Sequence, residues 1–292
     1  MEALLLGGGI SLAIALALLW PGWRLRRALA RPLAPRLCAI LADNVAPYAR
    51  MTPQLQDQLH KLVQHFLHQK KFVGCAGLDV NDEMRVTIAG QACLLLLNRP
   101  SRVYPALRVV LLYPSAFLVP RQQVDAAGVV TDARQDLLGE SWGDGRVVLA
   151  WDHVRRGAGH GSDGQNVVLH EFAHQLDSES GSNNGAPYLG SASNYRSWSA
   201  VLSRDFARLR TDAMLREQSV LDHYGATSPA EFFAVATETF FEKPWQMAER
   251  HAELFSELRK YYRVDPRDWH DAPEPPAAAP QAHAGVAYGH WQ

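Results

Sequence analysis

The chain has 292 residues, 47% of them hydrophobic and 20% charged, with a formal net charge of -1. That apolar content suffices for one large domain or two small ones, and the near-neutral balance excludes the basic surface that nucleic-acid binding requires. Its three cysteines, Cys38, Cys75 and Cys93, form no C-x-x-C pair. This excludes a disulfide framework and a cysteine-based zinc site, and it suits a reducing compartment.

From Ala3 to Trp20 the chain reads "ALLLGGGISLAIALALLW", and the uncharged run continues to Trp23. At about 1.5 Å per residue this approaches the length that crosses about 30 Å of hydrocarbon. Trp20 and Trp23 stand where an interfacial aromatic belt would, and Arg24, Arg26, Arg27 and Arg31 follow directly. No positive charge precedes the run, as a cleavable signal peptide would need. Residues 1–23 therefore predict a single transmembrane anchor with its C-terminal flank in the cytoplasm. A buried or interfacial helix is the alternative, because the run holds three consecutive glycines. Residues 24–45 read as a basic juxtamembrane linker.

Beyond the linker, "TPQLQDQLHKLVQHFLHQKK" predicts a helix capped by Thr52 with Pro53 at its first position. Leu55, Leu59, Leu62, Val63, Phe66 and Leu67 form its apolar stripe, and His60, His65 and His68 read as surface residues. A second helix is predicted over "VTIAGQACLLLL", residues 86–97. Strands are predicted over Arg108–Val119 and Arg146–Val154, which are rich in valine and bounded by Pro or Gly. After Asn194 the pattern is mainly helical. Helices, a few strands, then helices again predict an α+β domain with a small sheet over 46–271. The Pro/Ala-rich stretch 272–292, with His283 and His290, reads as a disordered tail.

The chemistry concentrates in "SDGQNVVLHEFAHQLD", a helix with Ser162 or Asp163 as candidate cap. On it His170 and His174, at i and i+4, project from one face about one turn apart. Two imidazoles so placed can share one Zn²⁺ at about 2.0–2.1 Å. Glu171 points some 100° away around the helix and suits the general-base position of an H-E-x-x-H metallopeptidase motif. Three protein ligands leave one position open for water, and "HQLDSESGSNN" offers no third histidine. The third ligand must then be a carboxylate from elsewhere. "SPAEFFAVATETFFEKP" supplies Glu231, Glu238 and Glu242 on a helix begun by Ser228 and Pro229 and ended by Pro244. Glu231 and Glu238 share a face, and Ser228-x-x-Glu231 also reads as a capping box. Spacing leaves Glu231 and Glu238 as equal candidates. Asp177 can accept the far N–H of a ligand histidine, as can Glu238, or it can cap the helix end. Asn166 can cap the helix or bind substrate backbone.

Together "HEFAHQLD", "ESWGDGRVVLAWDHV", "LLYPSAF" and "SPAEFFAVATETFFEKP" resemble the Mlc titration factor A family of bacterial zinc-dependent peptidases, over about 46–269. The active-site half is also similar to the protease domain of anthrax lethal factor. The resemblance implies a zincin-like metalloprotease domain holding one Zn²⁺ per chain. It implies His170, His174 and Glu231 as ligands, with Glu171 as general base. It also implies that Tyr224, seven residues before the ligand glutamate, stabilises the oxyanion. A glutamate of the lethal-factor segment corresponds here to Val235, so that contact does not carry over. The apolar N-terminus also departs from cytosolic family members; by the positive-inside argument the catalytic domain still faces the cytoplasm from the inner membrane.

The expected reaction is hydrolysis of peptide bonds by a metal-activated water, with aminopeptidase-type action on short peptides implied by the resemblance. The family's name points to a competing role, sequestration of a transcriptional repressor similar to Mlc in sugar-uptake control. A structural zinc domain is a third reading; it would need a fourth protein ligand and would not need Glu171.

Overall fold

The computed structural model describes residues 19–20, 22–100, 102–124, 130–137, 139–142, 145–159 and 161–273; over 117–142 it describes the backbone alone. Most of the expected anchor (1–18 and 21) and the expected tail from 274 onward lie outside these residues. Among the described residues no helix is long and apolar enough to cross a membrane. Residues 22–29 are helical, with Trp20 and Trp23 ring centroids 5.3 Å apart and the Arg27 guanidinium 5.2 Å from the Trp23 ring.

The N-terminal helices α1 (Pro35–Asn44) and α2 (Pro53–Gln69) both begin with proline, whose fixed φ suits the first turn. Thr52 Oγ1 caps α2 by accepting from the Leu55 amide, and Leu59, Val63 and Phe66 are buried. His60 is not the surface residue expected. It is half-buried, with Nε2 2.8 Å from Tyr48 Oη, because the turn at Tyr48–Arg50 folds over that face. Burial lowers its pKa. His65 is also half-buried.

Strand β1 (Lys71–Gly74) leads into α3 (Asp82–Leu94), which starts four residues before the expected position. Asn81 accepts from the Met84 amide, and Asp82 and Glu83 fill the first turn, where negative charge suits the helix dipole. Every position from Val86 to Leu94 is buried. At Gly90 a Cβ would stand 2.6 Å from Leu41 Cδ2, so glycine lets α1 and α3 close on each other.

The predicted strand over 108–119 divides in two. Strand β2 (Val109–Tyr113) ends before Pro114, which lacks a ladder N–H, and β3 (Phe117–Val124) begins a separate hairpin with β4 (Val130–Leu137). Strand β5 (Gly139–Trp142) turns back along β6 (Arg146–Ala150). The main sheet has the order β1-β2-β6-β5, with β1, β2 and β6 parallel and β5 antiparallel at one edge. Strand β6 stops at Ala150, opposite Tyr113 at the end of β2, and helix α4 (Trp151–Gly159) replaces the strand expected to Val154. Beyond that register the backbone has no ladder partner.

Helix α5 (Val167–Asp177) follows. It lies against β5 and β6 on one side and against α7 (Pro229–Glu242) on another. The long α6 (Ala192–Leu215) and the short α8 (Pro244–Arg250) and α9 (Ala252–Tyr262) complete the domain. The back of α5 is fixed by Phe172, whose ring centroid is 5.6 Å from Phe66 and 4.7 Å from Tyr104. All three are buried, and emptying such a site typically costs about 3–5 kcal/mol. The described fold is mostly helical with a small sheet.

Candidate active site

Helix α5 is started by Asn166, not by Ser162 or Asp163. Asn166 Oδ1 accepts from the amides of Val168 and Leu169, both at 3.1 Å, whereas Asp163 caps only the turn at Gln165. The cap is itself held by α7. The Asn166 amide donates to Glu238 Oε2 at 2.5 Å, and its side-chain amide donates to Glu242 Oε1 at 3.0 Å. Glu242 Oε2 accepts from the Gly164 amide at 2.9 Å. Two carboxylates one turn apart on α7 thus clamp the start of α5. Burial raises the Glu242 pKa to about 8.

Val168, Leu169, Phe172, Ala173 and Leu176 bury one side of α5. This turns His170 and His174 together toward α7, with ring centroids 4.9 Å apart. The Glu231 amide donates to Ser228 Oγ, the capping half of the expected box. The Glu231 carboxylate instead faces the histidines, with Oε2 2.9 Å from His170 Nε2 and 3.4 Å from His174 Nε2. Although burial works against ionisation, the bonds to His170 and His174 bring the Glu231 pKa down to about 2.

These three side chains form a candidate metal centre, with one donor atom from each lying within 4.8 Å of the others. Tetrahedral zinc with arms of about 2.0–2.1 Å has ligand–ligand edges of about 3.4 Å. The carboxylate–imidazole distances of 2.9 and 3.4 Å lie near that edge. Two nitrogens and one oxygen suit a borderline ion such as Zn²⁺. Glu238 is not gathered as a ligand. Its Oε1 lies 2.7 Å from His170 Nδ1, which keeps that nitrogen protonated and leaves Nε2 as the atom that faces Glu231. Burial would lower the His170 pKa, but the Glu238 charge and the bonds to Glu231 and Glu238 raise it well above the ordinary range.

Glu171 stands outside the donor cluster. It is buried, and its Oε2 has no hydrogen-bond partner among the described residues. Burial lifts its pKa to about 7, against the lowering influence of His170 and His174. A buried carboxylate poised near neutrality beside a histidine pair can take up and release a proton.

Tyr224 sits in the short turn His223–Ala226, fixed where its amide donates to Asp222 Oδ1 at 2.8 Å. Its side chain is 51% exposed, with the ring centroid 6.0 Å from that of His170. Its pKa is raised by burial and by the charges of Glu231 and Glu171. The phenol thus stands at the open mouth of the cluster.

Asp177 takes neither expected role in a hydrogen bond. Its Oδ2 accepts from the Gly185 amide at 2.7 Å, while Asp177 Oδ1 and His174 Nδ1 are both buried without a partner among the described residues. Gly185, at φ +77°, presses against α7; a Cβ there would stand 2.4 Å from the Pro229 carbonyl oxygen. Asp177 therefore links the end of α5 to the first turn of the helix that carries Glu231. Sequence reasoning gave Glu242 no role. Its spacing of four from Glu238, itself seven from Glu231, was the available signal for one carboxylate stripe along α7.

A family model described as Glucose-regulated metallo-peptidase M90 matches residues 20–263. An uncharacterized protein of Synechocystis sp. is 42% identical over 249 residues, covering 85% of this chain and 90% of the relative. Mlc titration factor A of Escherichia coli and that of Salmonella gallinarum are each 31% identical over 219 residues, covering 74% of this chain and 82% of theirs.

Proposed function

Since this chain belongs to the family of glucose-regulated metallopeptidases M90, we propose that it hydrolyses peptide bonds at a zinc ion held by His170, His174 and Glu231. The observation that carries the reading is the convergence of these donors beside a buried Glu171 carboxylate oxygen that has no partner. Aminopeptidase-type action on short peptides is the finer reading that the resemblance to zinc peptidases supports.

When bound, the ion polarises the scissile carbonyl and acidifies a water molecule. Glu171, with its pKa near 7, accepts the water proton and delivers it to the departing amine. Tyr224 donates its phenolic hydrogen to the carbonyl oxygen as charge develops there. Glu238 keeps His170 in the tautomer that presents Nε2. Strand β5 closes one edge of the main sheet and lies against α5, which supports docking of an extended peptide along it.

The test is Glu171→Gln, assayed for zinc content and for hydrolysis of aminoacyl p-nitroanilides. Zinc at one per chain with hydrolysis reduced about 10²- to 10⁴-fold is expected. Full hydrolysis in that variant would remove Glu171 from the mechanism.

A second reading follows from the likeness to Mlc titration factor A: this chain also binds a transcriptional repressor. Glu171→Gln separates the roles, since repressor binding would survive the loss of hydrolysis. The uncharged N-terminal run with its tryptophans and arginines supports anchorage at the inner membrane with the catalytic domain in the cytoplasm. Recovery of the full chain in the soluble fraction without detergent would refute that placement.

A further inference from the structure

A cavity lies beyond the far end of α5, between the segment 178–190, residues 99, 100, 102, 105 and 106, the first turns of α6 and one face of α9. At about 870 Å³ it is the size of sites that take small organic ligands. Arg99, Arg102, Lys260 and Arg263 line it, against only two carboxylates, Glu179 and Glu257. In a chain of net charge -1 such a concentration of cations needs a reason.

The two carboxylates offset only part of that charge. Glu257 is spent, accepting from Lys260 Nζ at 2.8 Å and from Ser197 Oγ at 3.2 Å. The Arg99 guanidinium carbon stands 4.2 Å from the Tyr261 ring centroid, and its charge acts on Glu179. Arg102 and Arg263 are exposed, and none of the three arginines is in an ion pair among the described residues. The second carboxylate, Glu179, is half-buried, and its Oε1 has no hydrogen-bond partner among the described residues.

We propose that this cavity binds a small phosphate monoester. Guanidinium groups match phosphate oxygens in bidentate geometry, and the exposed Arg102 and Arg263 side chains are free to meet a dianion. The volume exceeds what a phosphate alone would fill. Tyr188, exposed in the cavity wall, supplies apolar ring surface for the carbon skeleton. One wall, the segment 178–190, carries Gly185, which is bonded to Asp177 and packed on Pro229. Occupancy is thereby linked to the helix that carries Glu231.

The experiment is isothermal titration of the zinc-loaded full chain with glycerol phosphate, beside glycerol, inorganic phosphate and sulfate at matched ionic strength. Expected are a Kd at or below about 1 mM for glycerol phosphate, weaker binding of inorganic phosphate, and none of glycerol. Arg102→Glu and Arg263→Glu change exposed side chains, so the fold should persist, and each should weaken binding at least about tenfold. Neither residue belongs to the peptidase site, so hydrolysis without added ligand should be unchanged. No heat at about 10 mM glycerol phosphate, a Kd indifferent to both variants, or equal affinity for sulfate would each overturn the proposal.

Discussion

Replacing Glu238 tests how much of the metal centre resides in residues that would never touch the metal. Its Oε1 holds His170 Nδ1 at 2.7 Å, and its Oε2 holds the Asn166 amide at the start of α5. Glu238→Gln keeps the volume but can offer an oxygen to only one of these donors; its amide end then meets the other N–H. Loss of such a histidine partner typically weakens metal binding about 10- to 100-fold, or about 1.4–2.7 kcal/mol. Glu238→Ala loses both bonds and also orphans the buried Asn166 amide, which costs a further 1–3 kcal/mol or so of stability. For a domain of this size that is about 2–4 °C of Tm per kcal/mol. Competition with a chromophoric chelator reads the zinc Kd, and a thermal melt reads the second term. Glu231→Gln, which removes a ligand, should release zinc far more readily than either. A zinc Kd for Glu238→Gln within about twofold of the parent would refute the orienting role. Loss of zinc in Glu238→Gln but not in Glu231→Gln would show that the two glutamates have exchanged roles.

Tyr224→Phe should retain zinc and lower kcat about 10- to 10³-fold with little change in KM; an unchanged kcat would take the phenol out of the reaction. Glu242 has a folded pKa of about 8 against an ordinary 4.5. The folded chain therefore keeps a proton that the unfolded chain gives up. Its contribution to stability is fullest below 4.5 and declines as pH climbs toward 8. Glu242→Gln cannot ionise, so its Tm relative to the parent should rise steadily between about pH 5 and pH 8. A constant difference over that window would mean that Glu242 is ionised throughout. Gly185→Ala meets both a positive φ and the Pro229 carbonyl. It should lower the Tm and weaken zinc binding together, and a zinc Kd that stayed put while the Tm fell would break the proposed link from Asp177 to Glu231.

The helix that carries His170, Glu171 and His174 was legible because its information is local. The i, i+4 spacing and the apolar positions of Phe172 and Leu176 fix which side chains share a face, whatever surrounds them. The same holds for Thr52, Pro53, Ser228 and Pro229, whose capping preferences act within one turn. Strand ends were less legible. Whether 150–154 continues as strand depends on the register with β2, a partner far away in sequence, and that ladder runs out at Ala150. His60 read as a surface residue because its helix does not encode the turn at Tyr48 that covers it.

The choice between Glu231 and Glu238 shows the division most clearly. The two are seven residues apart on one helix face, so spacing makes them equivalent, and only the resemblance favoured Glu231. Packing of α7 against α5 separates them: one carboxylate meets the Nε2 atoms of both histidines, and the other reaches only Nδ1 of His170. The anchoring of Asn166 by Glu238 and Glu242, and of Gly185 by Asp177, is likewise absent from any local pattern. By itself the sequence determined which side chains could bind a metal, because periodicity and capping are short-range. Only the tertiary structure decided which of them converge and which hold the others in place, because that depends on how two helices distant in sequence pack together.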